Sequence, residues 1–367
     1  MCLLLTAAVC VGAPVPKIIF DTDMVEDFDD VGALATLHAF ADEGTCEILA
    51  IATCTRGNSS VAAVEIINRF YGRPEIPVGC TKEIGVVGTP SGKIAGHEKY
   101  IRLAKDYSDW VKHANSDDAP DANVIYRKAL AAAPDRSVTF VSVGFITNMR
   151  RLLETKPDAI SPLDGRALVA KKVVRWFAMA CQYPSGKEYN SKNDAASSKI
   201  AFERWPTPIV FSDYNLGVDI YSGRTVAERE YGYRNPVKDI FARSLPPRAA
   251  CRDGKKGGFG EGGRASWDEV TVFAAVKGIG DFFNTEKGTY RMVGTDGQDE
   301  WVPDAKSQHC RLVESAGKPR LNYPKSEIGM LVDELIAREP LCRRTDAAYR
   351  LHKAGKPPHA VHQPAVL

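Results

Sequence analysis

The sequence predicts an α/β fold: a single domain with a mostly parallel central sheet flanked by helices, in an open, doubly wound arrangement. Short apolar runs alternate with stretches of helical spacing from Lys17 onward. This alternation indicates parallel strands joined by crossover helices that cover both faces of a sheet. The composition agrees, because 44% hydrophobic and 26% charged residues in a chain of 367 are ordinary for a globular protein. We place the domain at residues 17–340.

The predicted elements follow one another in a regular order. Apolar runs predict strands at 18–20, 48–52, 76–78, 138–143, 173–179 and 208–211. Helical spacing of apolar residues predicts helices at 31–41, 59–71, 122–133, 147–155 and 194–204. Gly44 and Gly72 follow the first two helices, where glycine commonly ends a helix. The glycine-rich segment 254–263 is predicted to be a mobile loop, and it lacks the residue order of a phosphate-binding loop.

Both chain ends are predicted to lie outside the domain. Residues 3–11 are apolar and precede Gly12-Ala13-Pro14, as at the end of a secretory signal, but no Lys or Arg comes before them. We interpret residues 1–16 as a leader-like segment, and the export and cytoplasmic alternatives both stay open. Residues 341–367 are interpreted as a loose tail, since the last part is rich in Pro and His and has almost no periodic pattern.

Charge and cysteine content exclude several classes of protein. The 48 basic and 46 acidic residues give a formal charge of +2, without the basic excess of a nucleic-acid-binding face. Apolar runs stay below the roughly 18 residues that a membrane-spanning helix needs. Nine cysteines without a CxxC pair indicate neither a zinc knuckle nor a dense disulfide framework. We therefore expect no nucleic-acid and no membrane partner.

An acidic loop directly after the first predicted strand is the strongest functional signal. Residues 21–30 (DTDMVEDFDD) contain six carboxylates. The loop lies where ligands bind in parallel α/β sheets, at the carboxyl end of a strand. Carboxylates 4 Å apart repel by about 1 kcal/mol per pair even in water, and a divalent cation relieves that repulsion. Oxygen donors favour Ca²⁺ or Mg²⁺, so the loop predicts a metal site.

Residues 21–30 can be compared with two known classes of metal-binding loop. An EF-hand is poorly supported, because the sixth position is not Gly and the twelfth is not Glu. A Mg²⁺-dependent phosphohydrolase of the haloacid dehalogenase type fits better, with Asp21 as covalent nucleophile and Asp23 and Val25 completing a DxDx[TV] pattern. That class does not need the pair Asp29-Asp30 at the start of the helix.

The sequence resembles the inosine–uridine preferring nucleoside hydrolase superfamily over roughly residues 17–280. The family places an Asp-x-Asp after the first strand and an Asp-Asp at the start of the helix, and this chain has two extra residues between them. Three later segments match the family in order: 139–148 (TFVSVGFITN), 188–196 (EYNSKNDAA) and 266–269 (SWDE). Four matching segments at strand ends and helix starts make the resemblance specific.

The resemblance implies a calcium site beside a sugar site. The implied metal ligands are Asp23, Asp30, the backbone carbonyl of Val143, and Asp268. Asp23 would also accept the proton of the attacking water. The residues implied to contact the substrate are Asp29, Asn58, Met179, Glu188, Asn190 and Trp267. Asp21 would support the loop, whereas Asp27 lies in the two-residue expansion and inherits no role from the resemblance.

The implied activity is calcium-dependent hydrolysis of the N-glycosidic bond of a ribonucleoside, giving free base and ribose. Trp267 stands where many members have a histidine, which resembles a purine-preferring branch whose aromatic residue stacks on the base. A packed core tryptophan is the alternative interpretation. The resemblance also implies a nucleoside as partner and a homo-oligomer, a dimer or tetramer. Besides the phosphohydrolase, a non-catalytic ribose- or nucleoside-binding protein stays open.

Four further residues are predicted with less support from the pattern. His97 follows a glycine and is either a catalytic residue or a satisfied loop histidine. His38 lies at core spacing in the first helix and is interpreted as structural. Lys187 precedes Glu188 and is a candidate for an additional substrate contact. Trp301 is interpreted as a core or surface aromatic, with a late loop near the site as the alternative.

Overall fold

A computed structural model describes residues 15–25, 27–56, 59–83, 97–251, 258–280, 282–313 and 325–344 of the protein. Within these residues the strands, numbered β1 to β13 in chain order, are Lys17–Thr22, Glu47–Thr53, Val78–Cys80, Val138–Ser142, Val173–Met179, Ser185–Gly186, Ile209–Ser212, Tyr221–Gly223, Phe259–Gly260, Gly263–Ala265, Asn284–Met292, Asp299–Pro303 and Cys310–Val313. The α-helices, numbered α1 to α13, are Asp29–Asp42, Ser60–Phe70, Glu98–Asp106, Ala122–Ala132, Thr147–Glu154, Gly165–Lys172, Tyr189–Asn193, Ala195–Arg204, Tyr214–Gly217, Arg224–Glu228, Pro236–Ser244, Trp267–Lys277 and Lys325–Ile336.

Ten of these strands form one sheet in the order β3-β2-β1-β4-β5-β7-β13-β11-β12-β6. The run from β3 to β13 is parallel throughout. The pairs β13–β11, β11–β12 and β12–β6 are antiparallel. The predicted single α/β domain with a mostly parallel sheet is therefore confirmed. The strand order reverses at β1, which lies between β2 and β4, and such a switch point opens a crevice at the carboxyl ends of the strands.

Strand β1 shows why the sheet needs helices on both faces. Ile18 and Phe20 belong to a core that includes apolar residues of α1 and α12. Ile19 points to the other face and belongs to a second core with residues of α4, α5 and α8. Since alternate side chains of a strand point to opposite faces, an apolar run of three residues requires cover on both sides. The sequence pattern and the doubly wound architecture thus have the same cause.

Three predictions for the elements need correction. The strand predicted at 76–78 lies two residues later, at Val78–Cys80. Strands β11, β12 and β13 were not predicted; β11 and β12 pair antiparallel with their neighbours, and β13 is parallel to β7 and antiparallel to β11. The glycine-rich segment is not a loop throughout: residues 252–257 are outside the described part, but β9 and β10 pair with each other and β10 pairs with β8 in a small antiparallel sheet. Strands this short have too few residues to show a period, and they exist through pairing with a partner elsewhere in the chain.

Residues 1–14 and 345–367 lie outside the described residues, so most of the leader-like segment and of the tail does too. No helix among the described residues combines the length and apolar character needed to span a bilayer. The described cysteines are all free, and most of them are buried, in agreement with their interpretation as small hydrophobic residues.

Candidate active site

A cavity of about 260 Å³ lies at the carboxyl ends of the central strands. The predicted site residues that line it are Asp23, Asp29, Asp30, Val143, Met179, Glu188, Asn190, Trp267 and Asp268. They come from the β1–α1 loop, the ends of β4 and β5, the start of α7 and the start of α12. Asn58 lies outside the described residues. Side chains far apart in the sequence thus meet at the switch point of the sheet.

The β1–α1 loop wraps around the carboxylate of Asp30. The hydroxyl of Thr22 donates a hydrogen bond to Asp30 Oδ1. The backbone N–H groups of Asp23 and Met24 donate to the same oxygen at 3.2 and 3.3 Å. Met24 adopts a left-handed conformation with φ of 49°, which turns the chain back toward α1. Because Asp30 also lies in the first turn of α1, the N-terminal end of that helix favours its negative charge.

Three carboxylates of the cavity are close enough to hold one cation. Asp29, Asp30 and Asp268 each offer an oxygen, and these oxygens lie within 4.8 Å of one another. Burial, followed by the charge of neighbouring aspartates, raises the pKa of Asp29 and of Asp268 well above the usual range. Burial also raises the pKa of Asp30, although the hydrogen bonds that it accepts act in the opposite direction. Asp23 lines the same cavity, and its pKa is raised by burial and by the charges of Asp30 and Asp29.

The residues fit a hard divalent cation. Buried oxygen donors that raise one another's pKa are stabilised in their charged form when a cation enters, and oxygen ligands are what Ca²⁺ and Mg²⁺ take. The group formed by Asp29, Asp30 and Asp268 shares Asp30 and Asp268 with the predicted ligands. It includes Asp29, which was assigned to the sugar, and it does not include Asp23, which was assigned to the metal. Val143, whose backbone carbonyl was predicted to bind the metal, lines the same cavity.

Close packing of α12 on α1 brings Asp268 to the loop. The two helices pack against each other, and Asp268 lies in the first turn of α12. A Cβ on Gly32 of α1 would lie 2.1 Å from Oε1 of Glu269, so a side chain at position 32 would force the Glu269 side chain to move. Glu269 itself is fully buried beside Asp268, and burial raises its pKa well above the usual range. The resemblance included Glu269 in the segment 266–269 but implied no role for it.

Glu188 lines the cavity, and its carboxylate also caps the N-terminus of α7. Its Oε1 accepts the N–H of Asn190 at 2.8 Å, and its Oε2 accepts the N–H and the hydroxyl of Ser191, both at 2.9 Å. Burial raises the pKa of Glu188 to about 7, although these hydrogen bonds act in the opposite direction. The carboxylate is therefore held in one position while it lines the cavity.

Asn190 joins the carboxyl ends of two neighbouring strands. Its Nδ2 donates to the carbonyl oxygens of Val143, after β4, at 3.3 Å and of Met179, at the end of β5, at 3.2 Å. The sulfur of Met179 lies 3.2 Å from the same nitrogen. Asn190 thus contacts both Val143 and Met179, which were predicted near the metal and the sugar.

Trp267 is half-buried: it packs against the main core and also lines the cavity. Its Nε1 donates to the carbonyl of Tyr214 at 2.8 Å, and the two rings are stacked with centroids 5.3 Å apart. A Cβ on Gly217 would lie 2.5 Å from the Cα of Trp267, so a glycine at 217 permits this contact. Half-buried and in the cavity wall, Trp267 presents an aromatic surface there together with Tyr214.

Four further lining residues were not assigned to the site from the sequence: Asp27, Tyr189, Tyr214 and Arg264. Arg264 forms an ion pair with Asp27, with its Nε 2.7 Å from Oδ1 and 2.9 Å from Oδ2. Asp27 therefore has a partner across the cavity wall and is not a solvated loop carboxylate. Tyr214 comes shortly after the predicted strand 208–211, so the rule that ligands bind at strand ends could have found it. No local pattern marks Arg264.

Several other candidates lie outside the cavity wall. His97 is buried and its Nε2 accepts the N–H of Ser59 at 3.2 Å, as a satisfied histidine. Trp301 is in β12 and packs against another aromatic ring, so its placement on a loop near the site is wrong. Lys187 forms an exposed ion pair with Asp296 at 2.6 Å. His38 is fully buried, with its Nε2 hydrogen-bonded 2.8 Å from a side chain of α2, in agreement with a structural role.

Asp21 is buried beneath the cavity, which bears on the phosphohydrolase alternative. Its Oδ2 accepts the hydroxyl of Tyr126 at 2.5 Å and the amide of Asn148 at 2.8 Å. The side chain is completely shielded from solvent and is not among the described residues that line the cavity. A covalent nucleophile must reach its substrate, so this position fits a supporting role for Asp21 and not an attack on phosphorus.

Comparison with known proteins agrees with the fold. The protein-family model for inosine-uridine preferring nucleoside hydrolase matches residues 18–322. No curated protein sequence matches the chain significantly. The structure is similar to that of the inosine-uridine preferring nucleoside hydrolase from Bacillus anthracis, with a TM-score of 0.62 and 14% identity, covering 88% of this chain and 99% of that one.

Two more solved structures show the same fold. The plant nucleoside hydrolase PpNRh1 has a TM-score of 0.61 and 17% identity, over 88% of this chain and 99% of that chain. The purine-preferring ribonucleoside hydrolase from Gardnerella vaginalis has a TM-score of 0.59 and 15% identity, over the same shares of the two chains. The match to the family model, over most of the chain, places the protein among the N-glycosyl hydrolases. It belongs to the inosine-uridine preferring nucleoside hydrolase family.

Proposed function

We propose that the protein hydrolyses the N-glycosidic bond of a ribonucleoside in a calcium-dependent reaction, releases the free base and ribose, and prefers purines. One observation carries the proposal: acidic and amide side chains from distant segments line a single cavity, with Trp267 in its wall. Membership of the nucleoside hydrolase family supports the N-glycosidic hydrolysis, and we assign groups of the cavity to each part of the substrate.

The metal half of the proposal assigns Asp23, Asp30, the carbonyl of Val143 and Asp268 as calcium ligands. Bound calcium would supply coordination positions for two sugar hydroxyls and would lower the pKa of water. The proximity of Asp29 to Asp30 and Asp268 means that the sugar-binding carboxylate also adds its charge to the site. Buried oxygen donors with raised pKa support the choice of a hard cation.

The sugar half assigns the ribose hydroxyls to Asp29, Glu188 and Asn190, with Asn58 and Met179 beside them. Asp23 accepts a proton from the water that attacks C1′, so that a C–O bond forms as the C1′–N bond breaks. The bonding electrons leave with the base. The ring carries positive charge in the transition state, and the surrounding carboxylates, already fixed by their hydrogen bonds, stabilise it.

The base half rests on Trp267, whose ring lies with that of Tyr214 in the cavity wall. An aromatic surface can stack on a base, a contact worth about 1–3 kcal/mol in nucleic-acid sites. A purine has the larger surface of the two base classes. We therefore expect purine nucleosides to be the better substrates.

A nucleoside panel with and without chelator tests the proposal. Base release from inosine, guanosine, adenosine, uridine and cytidine is measured in calcium, in a calcium chelator, and after calcium is restored. We expect release that the chelator abolishes and calcium restores. The substitution Asp23→Asn should lower kcat by about 10²–10⁴-fold, the range for a lost general base. Tight ribose binding without base release from any nucleoside would instead identify a binding protein.

Two finer statements have their own measurements. Trp267→Ala should reduce kcat/KM for inosine more than for uridine, and an equal reduction would contradict the purine preference. Family membership also supports a homo-oligomer of two or four chains, which light scattering in solution measures directly.

A further inference from the structure

We propose that Asp299 is a positioning residue for the sugar half of the site: it fixes the loop 181–188, so that Glu188 presents one carboxylate oxygen, Oε1, to a ribose hydroxyl. The inference rests on the proposed N-glycosidic hydrolysis and deepens it by giving a role to the antiparallel part of the sheet. Asp299 is not among the described residues that line the cavity, so it acts through Glu188.

The loop 181–188 lies between β5 and α7 and pairs with β12. Strand β5 ends at Met179, and Glu188 is the N-cap residue of α7. Within the loop, the two residues of β6 pair antiparallel with the first two residues of β12, Asp299 and Glu300. A pairing of two residues supplies few backbone hydrogen bonds, so other contacts are needed to hold the loop in one position.

The carboxylate of Asp299 supplies these contacts at both ends of the loop. The side chain is buried, its Oδ1 accepts the N–H of Gln182 at 3.1 Å, and its Oδ2 accepts the N–H of Glu188 at 3.5 Å. Burial raises the pKa of Asp299 to about 6, although the backbone N–H groups act in the opposite direction. The group is therefore mainly charged at neutral pH, and hydrogen bonds to a charged acceptor are the stronger kind.

The strand that carries Asp299 is itself anchored. Strand β12 pairs with β11, β11 pairs with β13, and β13 pairs with β7 of the parallel sheet. Gly297, in the turn between β11 and β12, has φ of +81°, and a Cβ there would lie 2.3 Å from the Cβ of Lys192 in α7. The hairpin of β11 and β12 thus connects the main sheet to the helix that Glu188 caps.

The hydrogen bonds of Glu188 divide unequally between its two oxygens. Oε2 accepts the N–H of Cys181 at 3.1 Å and both the N–H and the hydroxyl of Ser191 at 2.9 Å. Oε1 accepts one hydrogen bond from the described residues, from the N–H of Asn190. Since a carboxylate has about four acceptor positions, the capacity that is left for a hydroxyl lies on Oε1.

Asp299 controls this division because it holds both sides of the Cys181–Glu188 contact. Gln182 follows Cys181 directly, so its hydrogen bond to Asp299 fixes the donor side, and the N–H of Glu188 fixes the acceptor side. Cys181 has a left-handed φ of 70°, which non-glycine residues rarely adopt, at the point where the chain leaves β5. Asn190 has separate support from the carbonyls after β4 and at the end of β5, so loss of Asp299 should affect Glu188 selectively.

The kinetic test uses inosine and its 2′-, 3′- and 5′-deoxy analogues with the wild type, Glu188→Gln, Asp299→Asn and the double variant. The analogue that Glu188→Gln affects least lacks the hydroxyl that Glu188 binds. Asp299→Asn should lower kcat/KM for inosine by about 10–100-fold, because a misplacement of about 1 Å can cost that much, and should spare the same analogue. In the Glu188→Gln background, Asp299→Asn should add less than about two-fold, since the two residues act through one contact.

A binding measurement tests the same role without catalysis. In calcium, the affinity for ribose, measured by isothermal titration calorimetry, should fall by about 10-fold in Asp299→Asn, the equivalent of one hydrogen bond to a charged group. Asp299→Ser removes the buried charge, so it serves if Asp299→Asn does not fold, and the same pattern is expected. The matched control is Asp296→Asn, at the exposed partner of Lys187 in the same hairpin, which should behave as the wild type.

Each contrary result has a distinct meaning. Equal losses on inosine and on the spared analogue overturn the inference, because they show that Asp299 only supports the fold. A loss that multiplies fully in the double variant overturns it as well, since Asp299 would then act independently of Glu188. Absence of base release from every nucleoside refutes the proposed function instead. In that case the ribose measurement still decides the role of Asp299: weaker binding in the variant supports it, and unchanged binding overturns it.

Discussion

Replacing Asp268 with asparagine should have opposite effects on stability without and with calcium. In the metal-free protein, Asp268 lies within 4.8 Å of carboxylate oxygens of Asp29 and Asp30. At that distance two full charges repel by about 3 kcal/mol at an effective dielectric constant of about 20. Because the pKa values of these groups are raised, protons already relieve part of the repulsion at pH 7. We therefore expect Asp268→Asn to stabilise the metal-free protein by about 1–2 kcal/mol.

Calcium should reverse the order of the two proteins. A ligand at 100 times its Kd stabilises the folded state by about 2.7 kcal/mol. The wild type should gain this amount, and Asp268→Asn should gain almost nothing, because it lacks one charged ligand. Urea unfolding at pH 7, in chelator and in calcium, gives both free energies from the transition midpoints.

A matched control uses another buried aspartate. Asp213 pairs with Arg311 at 3.3 Å and accepts a hydrogen bond from Tyr290 at 3.0 Å, and it is not among the described residues lining the cavity. Asp213→Asn should destabilise the protein in both conditions and keep the calcium gain. If Asp268→Asn is less stable than the wild type in chelator, or gains as much from calcium, our account of the carboxylate cluster is refuted.

Three further substitutions test other parts of the structure. Burial lowers the pKa of His38 from 6.5 to about 3, so below pH 6.5 the unfolded chain binds a proton that the folded chain does not, and the free energy of unfolding should fall by about 1.4 kcal/mol per pH unit. His38→Phe should reduce this dependence of the free energy of unfolding on pH. An unchanged dependence would contradict the prediction. Tyr126→Phe removes a hydrogen bond to the buried Asp21 and should lower the free energy of unfolding by about 1–3 kcal/mol, measured with urea. An unchanged free energy would mean that the contact is dispensable. Gly217→Ala places a Cβ 2.5 Å from the Cα of Trp267 and should lower the free energy of unfolding of the protein by about 1–3 kcal/mol. It should also lower kcat/KM for inosine, because Trp267 is displaced. Unchanged kinetics would show that the position of Trp267 is unimportant.

Most of the parallel half of the fold could be predicted from local sequence. Strands β1, β4 and β5 are buried for most of their length, so each reads as a continuous apolar run. Helices α1, α2, α4, α5 and α8 begin and end near the predicted residues. Strand β11 differs, because its residues 284–287 are exposed and it has no apolar run. It is a strand because β12 and β13 pair with it, and no local pattern records that pairing.

The residues of the candidate site likewise include some that could be predicted from local sequence and others that could not. Asp29, Asp30, Glu188 and Asp268 could be assigned because each lies at the start of a helix or directly before one, where a short motif and its position in the strand–helix order coincide. Their convergence on one cavity follows from the order of parallel strands, which brings their carboxyl ends together.

The pairing of Asp27 with Arg264 was decided by tertiary structure alone. The two residues are separated by 237 positions in the chain, and no motif assigned a role to either of them. Their contact depends on the small sheet of β8, β9 and β10 packing beside the β1–α1 loop, and that packing is a sum of many weak contacts that no single segment encodes. The sequence by itself determined the alternation of strands and helices, the acidic loop and the candidate residues for the sugar. The wall of the cavity next to the proposed base was determined only when the chain folded.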